Sequence, residues 1–213
     1  MRIAIVLYQG FDELDAIGPF EVFRNAAKMG ATIDVGLTTL DGAQEVTASG
    51  GLRVRPDARL EGRPDIVLIP GGGWNNHAPQ GAWAEANRGE IPRALSQLHR
   101  EGATVATVCT GAMLAATAGL TKGRPATTHH SALDDLRATG AEVIAARVVD
   151  DGDLIMAGGV TSGIDLALWI LEREFGVAMA DAVAEEMEYP RTREVWRRQA
   201  QRAAADEVRP LSS

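Results

Sequence analysis

Short apolar runs that do not alternate with polar residues recur along the chain, separated by segments with helical spacing. Ile3–Leu7 is the first, and its unbroken apolarity predicts a strand buried on both faces, as in a parallel sheet. A helix is expected from about Gly18, with Phe20, Val22, Phe23, Ala26, Ala27 and Met29 apolar and Gly30 as its stop. Ile33–Leu37 reads as a second strand, and Glu45–Val54, with Gly50-Gly51 at its centre, as a hairpin. Ile66–Ile69 is a third buried strand that ends in Pro70-Gly71-Gly72-Gly73. A helix around Ile91–Arg100 leads to a strand at Thr104–Val108, after which Cys109-Thr110-Gly111 opens a small-residue helix through Ala118. Pro125–Thr128 reads as a short strand and Ser131–Thr139 as a helix. Arg147–Asp150 and Asp153–Met156 form a hairpin around Asp151-Gly152. Ile164, Leu168, Leu171 and Phe175 fall at helical spacing behind a capping box of Ser162 and Asp165. From Arg191 onward the chain is polar and arginine-rich, which predicts a surface or interface helix.

This order predicts an α/β protein with a mainly parallel sheet and helices on both faces. The length, 213 residues, suits one compact domain, placed at 1–190, followed by a helical tail at 191–213. With 46% hydrophobic and 23% charged residues the chain reads as ordinary globular, which excludes a disordered chain. A formal net charge of −8 argues against nucleic acid as a partner, because phosphate backbones are held by clustered Lys and Arg. Ile3–Tyr8, the apolar run at the N-terminus, is too short for a membrane span or a signal-peptide core. A cytoplasmic protein without a membrane partner is expected.

The single cysteine cannot staple the fold, so Cys109 is either inert filling or a reactive group. It lies where an apolar strand meets a helix, beside the small residues Thr110, Gly111 and Ala112. A strand-turn-helix elbow exposes its apical side chain and needs such neighbours for clearance. In parallel sheets ligands bind beyond the carboxyl ends of the strands, and two further features sit at such ends. Gly71-Gly72-Gly73 can turn backbone N–H groups toward one point, a nest for a developing anion, but matches neither a dinucleotide fingerprint nor a P-loop. Asp12, Glu13 and Asp15 precede a helix, where carboxylates commonly act as caps, yet one beside a thiol would share a proton with it. His129 and His130 could approach the same edge as a Cys–His pair, and they lack a third ligand at metal spacing. Trp74, beside the glycine loop, could line a pocket.

Five segments in register carry a resemblance: Leu14-Asp15-Ala16-Ile17-Gly18-Pro19, Ile69-Pro70-Gly71-Gly72-Gly73, Val108-Cys109-Thr110-Gly111, Ala126-Thr127-Thr128-His129 and Thr161-Ser162-Gly163-Ile164-Asp165. Together they closely resemble the DJ-1/PfpI superfamily, and within it the isonitrile hydratases, from the first strand to about Tyr189. The resemblance implies a flavodoxin-like three-layer α/β sandwich of the class I glutamine amidotransferase-like type, usually a homodimer, that acts on a small molecule without a cofactor or metal. By that likeness Cys109 is the nucleophile on an elbow, and Asp15 is the acid against the thiol. Thr110 follows the cysteine as in the hydratases, where the peptidase-like branch has histidine. Gly71, Gly72 and Gly73 match the loop whose amides face the cysteine, and His129 matches the histidine near the site. His130 departs from the hydratase pattern, which favours tryptophan there. The implied activity is conversion of isonitriles to N-formamides. A glyoxalase-like thiol enzyme on small α-oxoaldehydes and a non-catalytic redox or ligand sensor are the alternatives.

Overall fold

The computed structural model describes residues 1–198. The chain starts with β1 (Arg2–Val6), α1 (Glu13–Lys28) and β2 (Asp34–Thr39). A hairpin of β3 (Val46–Thr47) and β4 (Arg53–Val54) and the short β5 (Ala58–Arg59) lead to β6 (Ile66–Ile69). Helices α2 (Ala82–Arg88) and α3 (Glu90–Arg100) precede β7 (Thr104–Val108), which runs straight into α4 (Gly111–Thr117). A side unit of β8 (Pro125–Ala126), α5 (Leu133–Ala138) and β9 (Glu142–Val143) comes before the hairpin of β10 (Val148–Asp150) and β11 (Leu154–Ala157). Helices α6 (Ser162–Phe175) and α7 (Val177–Glu186) and strand β12 (Val195–Arg197) follow.

Eight strands form the central sheet in the order β12-β10-β11-β7-β6-β1-β2-β5. Within this sheet only the β10–β11 pair is antiparallel among the described strands. Helices α1, α6 and α7 pack together, and α2, α3 and α4 form a second group, so the sheet is the middle of three layers. That burial explains the unalternating runs: every residue of β6 and β11 is buried, as are all but the first of β1 and β7. This is the flavodoxin-like α/β sandwich expected from the sequence.

Three expectations are corrected. Helix α1 starts at Glu13 rather than near Gly18. Pro19 sits inside it, and the acids Glu13 and Asp15 occupy the first turn, where carboxylates favour the helix N-terminus. Glu13 also accepts the Gly50 N–H at 2.7 Å, tying the β3–β4 hairpin to α1. Ser162 and Asp165 make no capping box: α6 has no side-chain cap, and Asp165 instead accepts from Arg147 Nε at 2.7 Å. A charge-assisted bond to a guanidinium outcompetes a neutral amide. Within the described part of the tail, Val195–Arg197 is a strand, not a helix, added in parallel to β10. Arg191 bonds Glu172 and, at 2.9 Å, Asp181, while Arg197 lies over the Trp169 ring at 5.1 Å. These arginines bind the segment to α6 and α7, and Val195 and Trp196 favour an extended backbone. Residues 199–213 of the expected tail helix lie outside the described residues.

Candidate active site

The elements that meet at one sheet edge are the exits of four adjacent strands, β11, β7, β6 and β1. Cys109 follows β7 with φ +57°, a left-handed backbone that residues with a Cβ rarely adopt. Its N–H donates to the carbonyls of Gly158 (2.8 Å) and Ala157 (3.1 Å) at the end of β11. Its own carbonyl accepts Thr128 Oγ1 at 2.8 Å. The elbow needs the small neighbours seen in the sequence. A Cβ on Gly111 would sit 2.4 Å from the Ile69 carbonyl oxygen, and one on Gly71 would sit 2.5 Å from the Thr110 nitrogen. The side chain of Cys109 is nearly enclosed, with 6% of the residue exposed.

Asp15, in the first turn of α1, is fully buried. Its Oδ2 accepts the Gly71 N–H at 2.9 Å, and the carboxyl lies close enough to Cys109 for the two groups to shift each other's titration. Among the described residues Oδ1 has no partner. Burial, with the charge of Asp12 behind it, pushes Asp15 up to about 8. Burial, followed by the charge of Asp15, pushes Cys109 up to about 12, against the N–H groups of Thr110 and Val160 that stabilise the thiolate. No cation offsets either group among those causes. Both groups therefore hold their protons at neutral pH, and the pair reaches its one-proton form as pH rises through about 8.

The glycine loop serves a different purpose from the one expected. Gly71 gives its N–H to Asp15, and Gly72 gives its N–H to Thr110 Oγ1 at 2.9 Å. The amides on the sulfur belong to Thr110 and Val160 instead. The loop is shaped by close approach: Gly72, at φ +121°, would place a Cβ 2.6 Å from the Gly10 carbonyl oxygen. Of the three glycines, Gly73 has an N–H that meets no acceptor among the described residues. Thr110, a residue expected in the chemistry, thus aligns the Gly72 loop through its hydroxyl and faces the sulfur through its backbone.

A cavity of about 520 Å³ opens over Cys109. Gly72, Gly73, Trp74, Thr110 and His129 line it, and Gly71 does not. Trp74 donates Nε1–H to Asp135 at 2.7 Å and packs edge-on to Trp83 at 5.1 Å, which fixes that wall. Asp12, half-buried and raised by burial, also faces the cavity and caps nothing with its side chain. His130 is exposed and belongs to a neighbouring cavity with Arg147 and Glu194. Ser49, Asn75, Gln80, Ser131 and Val160 also line the Cys109 cavity and were not read from the sequence. They arrive on loops without periodicity, so only tertiary structure shows them. Among the described residues no group of three or more His, Cys, Asp or Glu is arranged to hold a metal ion. No helix there is long and apolar enough to cross a membrane.

A mainly parallel α/β sandwich with a thiol on a strained strand-end elbow, backed by a buried carboxyl, defines the class of protein. The DJ-1/PfpI family model matches residues 1–173, and the chain belongs to the DJ-1/PfpI family. It is 33% identical over 194 residues to isonitrile hydratase from Pseudomonas putida, covering 89% of this chain and 78% of that protein. It is 28% identical over 188 residues to the Parkinson disease protein 7 homolog of Danio rerio, covering 85% of this chain and 94% of that one. The crystal structure of a THiJ/PfpI family protein from Pseudomonas syringae superposes with a TM-score of 0.78 at 27% identity, over 88% of this chain and 74% of that one.

Proposed function

We propose that this protein is a cofactor-free, cysteine-dependent hydratase that converts isonitriles to N-formamides. The observation that carries the reading is the fully buried Asp15 carboxyl beside the Cys109 thiol, on a strained elbow that lines a cavity. The likeness to the Pseudomonas putida isonitrile hydratase supports it.

The pair supplies what the reaction consumes. In the one-proton form of the pair, movement of the proton from sulfur to the Asp15 carboxylate leaves a thiolate beside a carboxylic acid. The sulfur forms a bond to the terminal carbon of the isonitrile, and Asp15 delivers the proton to that carbon, giving a thioimidate. Water then adds to the thioimidate carbon, and the proton it gives up passes through Asp15 to the nitrogen, which becomes N–H. Collapse expels the sulfur, which takes up the hydroxyl proton, and releases the N-formamide. The sum is one isonitrile and one water giving one formamide. Positioned acid–base groups of this kind contribute roughly 10²–10⁴-fold.

The carboxyl is favoured over a histidine as proton carrier, because His129 Nδ1 is already engaged by Ser131 at 2.5 Å. Formamide production from a simple alkyl and a simple aryl isonitrile, followed by chromatography, tests the reading. Cys109→Ala is expected to abolish turnover and Asp15→Asn to reduce it by roughly 10²-fold or more. Wild-type-like turnover in either variant refutes the assignment.

A further inference from the structure

The cavity holds one chain of hydrogen bonds that the reaction above does not use. Two groups of Ser131 converge on His129 Nδ1: the hydroxyl at 2.5 Å and the backbone N–H at 3.3 Å. A backbone N–H can only donate, so Nδ1 is an acceptor. Asn75 donates its side-chain N–H to Ser131 Oγ, which leaves the hydroxyl proton directed at Nδ1. A neutral imidazole whose Nδ1 accepts carries its proton on Nε2. A proton on Nδ1 would instead face the Ser131 N–H.

The ring is fixed from its other sides too. It packs against the His130 ring with centroids 4.1 Å apart and the planes tilted by 39°, and a Cβ on Gly159 would lie 2.3 Å from its Cδ2. The ionisable groups around it are His130, which disfavours the imidazolium, and Asp12, which favours it. Nε2 meets no acceptor among the described residues, and the ring lines the cavity with Cys109.

We propose that Ser131, oriented by Asn75, holds His129 in the Nε2–H tautomer and so makes it a hydrogen-bond donor to the substrate rather than a base for the thiol. Ser131 and Asn75 are then positioning residues. The acceptor His129 meets is the nitrogen lone pair that the isonitrile carbon's thioimidate exposes, a role that rests on the hydratase reading. The tautomer itself does not rest on it. Recognition of this kind selects substrates with an acceptor next to the reacting carbon.

Two-bond proton–nitrogen spectra of protein labelled with ¹⁵N-histidine test the relay, with His129 assigned through His129→Gln. At pH 7.5 the wild type is expected to show the Nε2–H tautomer at His129. Ser131→Ala should move it toward a tautomer mixture, and Ser131→Thr should restore it. An Nδ1–H tautomer or an imidazolium in the wild type overturns the proposal, as does an unchanged spectrum in Ser131→Ala. In turnover, His129→Ala is expected to lose roughly 10–100-fold, the worth of one hydrogen bond to a polarised centre. His129→Gln, which keeps an N–H donor, should lose less. Equal losses in the two variants overturn the donor role. Wild-type protein that shows the Nε2–H tautomer but makes no formamide supports the relay and refutes the hydratase reading.

Discussion

Burial without a compensating cation governs the two residues at the centre of the site. Because the Asp15–Cys109 pair holds its protons tightly, kcat/KM for an isonitrile is expected to rise with pH through an apparent value near 8, as the pair loses its first proton and a thiolate becomes available. A pH–rate profile checks this, and Asp15→Asn should remove that step. The same burial costs stability. Asp15 ionises near 3.8 when exposed and at about 8 in the fold, so the fold favours its neutral form. That contribution is fully present below about 3.8 and is lost as pH rises through about 8, at about 1.4 kcal/mol per unit. The melting temperature of Asp15→Asn should therefore exceed that of the wild type by a margin that widens between pH 5 and pH 9. An equal margin at both pH values would contradict it. At this scale Cys109 was legible in the sequence from its place after an unalternating strand, and Asp15 from the motif around it. Ser131 and Asn75 were not, because a polar loop residue has no periodic position that marks its direction.

Among the elements, strands announced themselves and boundaries did not. β1, β6 and β7 were visible as apolar runs because both of their faces are covered. The start of α1 was misplaced by Gly18-Pro19, which reads as a helix beginning, whereas Gly18 is the point where α1 meets Ile164 of α6. The tail strand was hidden because its arginines suggested a solvated surface, and their partners on α6 and α7 are remote in sequence. Arg191 is the anchor, with 8% of its side chain exposed and carboxylates of Glu172 and Asp181 on either side. Arg191→Ala is expected to cost about 1–3 kcal/mol by leaving those groups without their partner. Amide exchange should then accelerate first at Val195–Arg197 and along β10, with β1 and β6 unchanged. Uniform acceleration across the sheet would show that β12 is not separately held.

For the molecule as a whole, the strand order decides where chemistry can occur. β7 and β6 are sequential neighbours in space, whereas β1 and β11 reach them from opposite ends of the chain. The exits of all four share one edge, so a site legible only as scattered segments becomes a single cavity. One consequence concerns how the protein is made. The backbone of Cys109 is held by carbonyls at the end of β11 and by Thr128, all synthesised after it. Until those segments dock, the thiol has no enclosing wall and behaves as an ordinary exposed cysteine near 9.0, compared with about 12 in the finished fold. Brief alkylation at intervals during refolding should label early chains readily and native chains slowly. The reactive-position residue thereby serves as a clock for its own enclosure, and a cell's electrophiles threaten this protein most in the interval before β11 arrives.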